Sequence, residues 1–405
     1  MNTYTHFKNY TRCPLDIDLA EVSDDSLEHY LFEKYIDNVL HQQAASVSIK
    51  SIIRGIYYRL RPLFPVTFRK HLQRMALRGW RNISFPAWPV DTTVDDHIAD
   101  GFRHLLTDSG YEKIPFIWFW PRGHRYAAIM THDVETAAGR DFTSTMMEME
   151  AKQSIVSSFE VVPEVRYEVS DSYLESIRAG GCEVCLHGLN HDGHLFDDPV
   201  EFNRRAHKIK HHADRFGAGG FRSPIMYRNL DWLDKLPITH DMSVPNTAHL
   251  DPQRGGCCTV MPYFINELLE LPLTTIQDYS LFNILNDYSL DLWRQQAAIV
   301  KSRFGLRSFI THPDYIIPNK ASKLYEDMLA WLAELRDEDD LWLTLPQDVN
   351  VWWRERAAMK IEEQNGTWVI SGSGSENAVL AFACLQDGQL QYELETGRSW
   401  RGCSS

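Results

Sequence analysis

From about Pro115 onward, short apolar runs alternate with stretches of helical periodicity, and several of the runs end in a polar side chain. Strands are expected at 126–131, 155–162, 182–187, 219–222, 241–244, 308–312 and 341–344, and helices at 171–179, 198–216, 288–304 and 320–336. A chain that alternates in this way folds as α/β with a mostly parallel sheet, because each parallel strand needs a crossover to return to the same edge. Asp133, His187, Arg222 and His312 all fall at or just beyond the carboxyl ends of these strands. In a βα barrel that end is the catalytic rim.

The regions on either side differ in texture. Residues 1–114 read as a helical N-terminal region, with helical spacing over 18–45, 47–61 and 66–80, a Pro-rich connector at 85–91 and a further helix from Thr93 to about Ser109. Residues 115–350 hold the barrel pattern. Residues 351–405 form a small β-rich appendage, since 359–396 alternate polar and apolar residues around Gly366, Gly372, Gly374 and Gly388.

Charge excludes one class of partner. The net charge of −14 argues against nucleic-acid binding. The charge is unevenly spread, however, because no Asp or Glu occurs from Asn38 to Val90, where Lys50, Arg54, Arg59, Arg61, Arg69, Lys70, Arg74, Arg78 and Arg81 stand among Ile, Leu, Phe, Tyr and Trp. The segment 46–82 therefore suits either an acidic surface of the same protein or peripheral contact with an anionic membrane. The first residues lack an apolar run of signal-peptide type, and the seven cysteines form no compact framework, so a cytoplasmic protein is expected, with association to a membrane as the option the basic segment adds.

Two stretches carry the chemistry. His187-Gly188-Leu189-Asn190-His191 follows the strand 182–187, and Gly188 lets the chain turn off the strand so that two imidazoles can approach one ion. The strand points Cys182 and Cys185 to opposite faces, which argues against a zinc knuckle built on that pair. Asp133 and Glu135, two apart at the end of 126–131, can face one cavity, one binding metal and the other handling protons. Read alone, either pair is ambiguous. Carboxylates at strand ends also cap helices, and His-x3-His recurs by chance in a chain with 17 histidines.

Taken in order, Thr131-His-Asp133-Val-Glu135, His187-Gly-Leu-Asn-His191-Asp-Gly, Phe221-Arg222-Ser-Pro224 and Phe309-Ile-Thr-His312-Pro resemble the motifs of the nodulation-type polysaccharide deacetylases, carbohydrate esterase family 4. The resemblance covers roughly residues 115–345. It implies a distorted (β/α) barrel of about seven strands and a divalent ion, with zinc expected. Asp133 would be the catalytic base, Arg222 the residue that orients it and His312 the proton donor to the leaving amine. His187 and His191 would be the imidazole ligands. The first motif departs from the common pair of adjacent aspartates, so Glu135 becomes the carboxylate ligand and a swap with Asp133 stays open.

The same resemblance makes Tyr227, Asp241 and Asp314 candidates for binding a carbohydrate substrate, with Trp88, Trp118, Trp120 and Trp232 as candidate stacking platforms. The activity it implies is metal-dependent N-deacetylation of an acetamido sugar in a polysaccharide, an oligosaccharide or a lipid-linked precursor. Two alternatives remain at this point: hydrolysis of a non-sugar amide on the same barrel, and a catalytically silent carbohydrate-binding protein.

Overall fold

The computed structural model describes residues 10–14, 75, 77, 79–108 and 110–402. The helices expected within 18–80 therefore lie outside the described residues, as does nearly all of the basic segment 46–82. Among the described residues no helix is long and apolar enough to cross a membrane.

Helix α1 (Thr93–Asp108) and strand β1 (Ile114–Ile117) precede the alternating region. That region runs β2 (Tyr126–Val134), α2 (Ala137–Ala151), β3 (Ser158–Val161), α3 (Asp171–Ala179), β4 (Glu183–His187), α4 (Pro199–Phe216), β5 (Gly220–Arg222), β6 (His240–Asp241), β7 (Tyr263–Ile265), β8 (Leu268–Glu270), α5 (Asp291–Ser302), β9 (Leu306–Thr311), α6 (Asn319–Glu338) and β10 (Leu341–Thr344). Sequence chemistry sets the helix starts. Asp198 accepts from the Val200 and Glu201 amides, both at 2.9 Å, ahead of Pro199, and Thr136 and Ser170 cap α2 and α3 in the same way.

Strand β2 is the central element, and all nine of its residues are buried. Strand β9 lies along one edge, Ala127–His132 opposite Leu306–Thr311. The other edge is shared: β10 pairs with Tyr126–Ile129 and β3 with Thr131–Val134. From β3 the sheet continues in parallel through β4, β5, β6 and β8, and β7 closes it antiparallel to β8. No ladder joins β8 to β9. Loop contacts span that gap instead, with the Thr274 and Thr275 hydroxyls donating to the Leu306 and Ser308 carbonyls at 2.7 Å and the Leu306 amide donating to Val260 O at 2.8 Å. The result is a distorted (β/α) barrel. It has nine strands in its sheet where about seven were expected, because the hairpin β7–β8 consists of two three-residue runs around Asn266, too short to stand out as strands.

After β10, helix α7 (Pro346–Ala358) leads to strands β11 (Lys360–Gln364), β12 (Thr367–Ser371), β13 (Leu380–Gln386), β14 (Gln389–Leu394) and β15 (Ser399–Arg401). Strands β11 and β12 form a hairpin, and β13, β14 and β15 form an antiparallel sheet whose fourth member is β1, paired Ile114–Ile117 against Ala383–Leu380. The boundaries expected at 114/115 and 350/351 thus fall inside β1 and inside α7. The C-terminal sheet shares a core with what precedes the barrel: the rings of Phe102, Phe116, Trp118 and Tyr392 pack at centroid distances of 5.1–6.1 Å. Beside them the buried Arg356 of α7 donates to the Trp118 carbonyl at 2.9 Å, to Ile117 at 2.6 Å and to Tyr10 at 2.8 Å. Among the described residues no acid contacts it, and burial pushes its guanidinium down to about 9.

Candidate active site

Alternation along β2 sends its side chains to opposite faces. Thr131 and Asp133 point inward, whereas His132 points out to the helices, its Nε2 2.7 Å from Glu150 Oε1 of α2 and its Nδ1 2.7 Å from Thr311 Oγ1. Tyr325 of α6 donates to the same Glu150 oxygen at 2.7 Å, and Ser157 donates to the other at 2.8 Å. All of this network is buried, and it fixes the strand that carries Asp133. The sequence reading missed it because His132 looked like one more member of the motif.

On the inner face the groups expected from four strand ends and the loops after them converge. Asp133 Oδ1 accepts from Arg222 Nη1 at 2.8 Å, and the same nitrogen donates to Thr131 Oγ1 at 2.8 Å while Arg222 Nε donates to the Met242 carbonyl at 3.0 Å. Asp133 Oδ2 lies 3.7 Å from His187 Nε2 and 4.0 Å from His312 Nε2. Glu135 Oε1 is 2.8 Å from His191 Nε2, 3.4 Å from His312 Nε2 and 3.6 Å from His187 Nε2. Burial alone would raise both carboxyls, but His187, Arg222 and His312 hold Asp133 below the usual range. The charge of His191, and the three imidazoles close to Glu135, hold it well below that range.

His312 is oriented by a residue the sequence reading did not single out. Asp278 accepts from its Nδ1 at 2.6 Å and from its backbone amide at 2.7 Å. Burial opposes the imidazolium, yet the charges and hydrogen bonds of Asp278 and Glu135 outweigh it and raise His312 well above its ordinary value. Asp278 stands at the start of a short helical stretch between β8 and α5, with no strand or motif to mark it. A second buried acid, Glu160 of β3, has one oxygen 3.6 Å from Arg222 and accepting from the His132 amide at 2.7 Å; burial, against the pull of Arg222, pushes it up to about 8.

The donor set fits a divalent cation. Glu135, His187 and His191 offer one oxygen and two nitrogens within 4.8 Å of one another, and Asp133, Glu135 and His312 form an overlapping group. His187 is set for ligation: Nδ1 lies 3.2 Å from the Arg222 carbonyl, which places its proton there, and Nε2 is buried without a hydrogen-bond partner. His191 is not yet set, because Arg166 Nη2 donates to its Nδ1 at 2.9 Å and leaves the ring proton on the Nε2 that faces Glu135. Ligation through Nε2 requires Arg166, an exposed residue, to release that ring. Gly188, between β4 and His191, has φ +62°, and a Cβ there would stand 2.5 Å from the Pro224 ring, so the turn that brings the histidines together needs glycine.

The candidate substrate contacts divide. Tyr227 borders a cleft of about 240 Å³ together with His191, Arg205 and Ser223. Asp314 is partly exposed near His312 and Glu135, whose fields, after burial itself, act on its carboxyl. Asp241 is a correction. It is fully buried, with Ser243 Oγ donating to it at 2.6 Å, and has no surface to offer a sugar. Trp118 and Trp120 are corrections too, as both are core residues, and Trp232 packs on Phe202. Trp88 alone of the four lines an open cleft, of about 340 Å³, with Leu250, Gln277 and Gln296.

No family model matches the chain, and no curated protein does. Among solved structures the chain is similar to a putative polysaccharide deacetylase from Mycobacterium smegmatis, at 16% identity over 62% of this chain and 97% of that one, with a TM-score of 0.47. It is also similar to Puue allantoinase, at 12% identity over 58% and 92% with a TM-score of 0.45. A probable polysaccharide deacetylase from Pseudomonas aeruginosa PAO1 resembles it at 12% identity over 57% and 91%, with a TM-score of 0.43.

Proposed function

We propose that the protein is a metal-dependent hydrolase that removes N-acetyl groups from an acetamido sugar in a polysaccharide, an oligosaccharide or a lipid-linked precursor. The observation that carries this reading is the convergence of a carboxylate with one free oxygen, Asp133 Oδ2, and a buried imidazolium, His312, beside a donor set of one carboxylate and two imidazoles. A base and an acid within 4.0 Å of each other, one depressed and one raised, suit the two proton transfers of amide hydrolysis.

Glu135, His187 and His191 would hold the ion, which when bound supplies Lewis-acid polarisation of the amide and a more acidic water. Asp133 takes the proton of that water through Oδ2, while Arg222 on Oδ1 keeps the carboxylate from rotating away. His312 gives the proton of Nε2 to the departing nitrogen, and Asp278 stabilises the charge it carries beforehand. Acetate and a free amine result. Tyr227, in the cleft beside His191, and Asp314, near His312 and Glu135, are the proposed sugar contacts.

The test is acetate release from N-acetylated chitooligosaccharides, set against a panel of small non-sugar amides. Release from the sugars is expected to fall by about 10²-fold or more after chelation, since the ion's share is several kcal/mol, and to return when zinc is added. Hydrolysis confined to the non-sugar amides would reassign the substrate, and none in either set would leave binding as the function.

We extend the proposal to peripheral contact with anionic lipid through residues 46–82. Sedimentation with anionic liposomes should depend on this segment and weaken as salt is raised. Binding unchanged after its deletion rules the contact out.

A further inference from the structure

Below the rim, the same inward face of β4 carries a second set of donors that the proposed reaction does not use. Glu183, Cys185 and His187 alternate onto one face of the strand, and only His187 reaches the rim. Cys185 of β4 and His240 of β6, both fully buried, approach each other across the strand between them, β5. The β5 residue at that crossing is Gly220. A Cβ there would stand 2.5 Å from His240 Nε2 and nearer still to Cys185 Sγ, so any side chain at 220 would occupy the place where thiol and imidazole meet.

Glu183 completes the group. Its Oε1 is 3.3 Å from Cys185 Sγ and 3.3 Å from His240 Nε2, and its Oε2 accepts from the Gln347 amide at 2.8 Å. One sulfur, one nitrogen and one oxygen donor thus lie within 4.8 Å of one another. A thiol donating to a carboxylate accounts for Cys185 and Glu183, but it leaves His240 Nε2 buried with no hydrogen-bond partner. Such an orphan destabilises the fold unless something fills the place it faces. The other ring nitrogen, Nδ1, is 3.2 Å from Thr239 Oγ1, which can accept its proton and leave the Nε2 lone pair directed at the cluster.

We propose that Glu183, Cys185 and His240 form a second, structural cation site of zinc type near the amino ends of the barrel strands. Thiolate, imidazole and carboxylate are a zinc donor set, and the sulfur selects against magnesium and calcium. Charge also balances: as the dication enters, the thiol proton leaves to solvent, and thiolate plus carboxylate then neutralise the ion in a buried place. The site is separate from the rim, since two residues along a strand place Cys185 about 7 Å below His187, beyond the roughly 4 Å spacing of paired catalytic ions. Its effect is mechanical. Strands β5 and β6 have three and two residues, and an ion held from both β4 and β6 ties the sheet together where its ladders are shortest.

The inference does not rest on the proposed activity, and its test reads no activity. Full-length protein is produced in cells supplied with cobalt, as wild type and as His187→Ala/His191→Ala, which removes the rim imidazoles. Both are expected to hold cobalt with a thiolate-to-cobalt charge-transfer band, and Cys185→Ser to lose the band while keeping cobalt at the rim. His240→Gln, which spares the thiol if Cys185→Ser does not fold, should weaken cobalt binding in the rim-less background by at least about tenfold, the smallest loss expected for a ligand. Absence of the band from the wild type and the rim-less protein, or its survival unchanged in Cys185→Ser or His240→Gln, overturns the proposal.

Discussion

Asp133→Asn is expected to lower kcat by about 10²- to 10⁴-fold, the range for loss of a positioned general base, with little change in KM and with the metal content per chain unaltered. Asparagine keeps an oxygen for Arg222 Nη1, so the 2.8 Å hydrogen bond can survive, but it cannot take a proton on the atom that replaces Oδ2. The metal measurement separates the two assignments of the acid pair. If Asp133 is the ligand and Glu135 the base, then Asp133→Asn depletes the ion and Glu135→Gln retains it. Folding stability falls as well, because Arg222 is fully buried and its other acid neighbour, Glu160, is 3.6 Å away. Rates are therefore compared at a temperature where circular dichroism shows both proteins folded.

The second large effect is on the acid. His312→Gln should also cost about 10²- to 10⁴-fold in kcat, and Asp278→Asn should reproduce part of that loss with a signature of its own. The imidazolium is present below the folded pKa of His312, so kcat falls as pH rises through that value. Burial lowers this pKa and Asp278 is the leading influence raising it, so replacing Asp278 moves the alkaline limb of the kcat profile to lower pH. The direction is the same with or without a cation on the far side of the ring, because Asp278 meets Nδ1 and the reacting side is Nε2. The deficit should grow with pH, by about tenfold for each unit the limb moves. A uniform loss at every pH would show that Asp278 only supports the fold.

Sequence made the rim legible because its groups are tied to strand ends. Asp133, His187, Arg222 and His312 each terminate an apolar run, and periodicity alone locates such termini. Asp278 was invisible for the opposite reason, since it begins a short helical stretch between strands and reaches His312 only through the closure of the barrel. Asp241 misled because the resemblance places it beside the arginine motif but carries no information on burial, and the loops around it close it off completely. The hairpin β7–β8 is held by its neighbours more than by its own propensities, so no local pattern announces it. Strand β1 corresponds to no expected strand at all, because Ile-Pro-Phe-Ile carries no mark of which sheet it joins.

That strand has a consequence for how the protein is made. Residues 114–117 leave the ribosome roughly 265 residues ahead of 380–383, their partners. At about 5–20 residues per second, this apolar segment waits on the order of 10 to 50 seconds with its hydrogen-bonding edge unsatisfied. The barrel between them can form in the interval, but β1 can be sewn to β13 only after residue 383 has emerged. A nascent protein arrested before residue 380 would therefore present Ile114–Ile117 as an open edge, the kind of surface that holding chaperones protect.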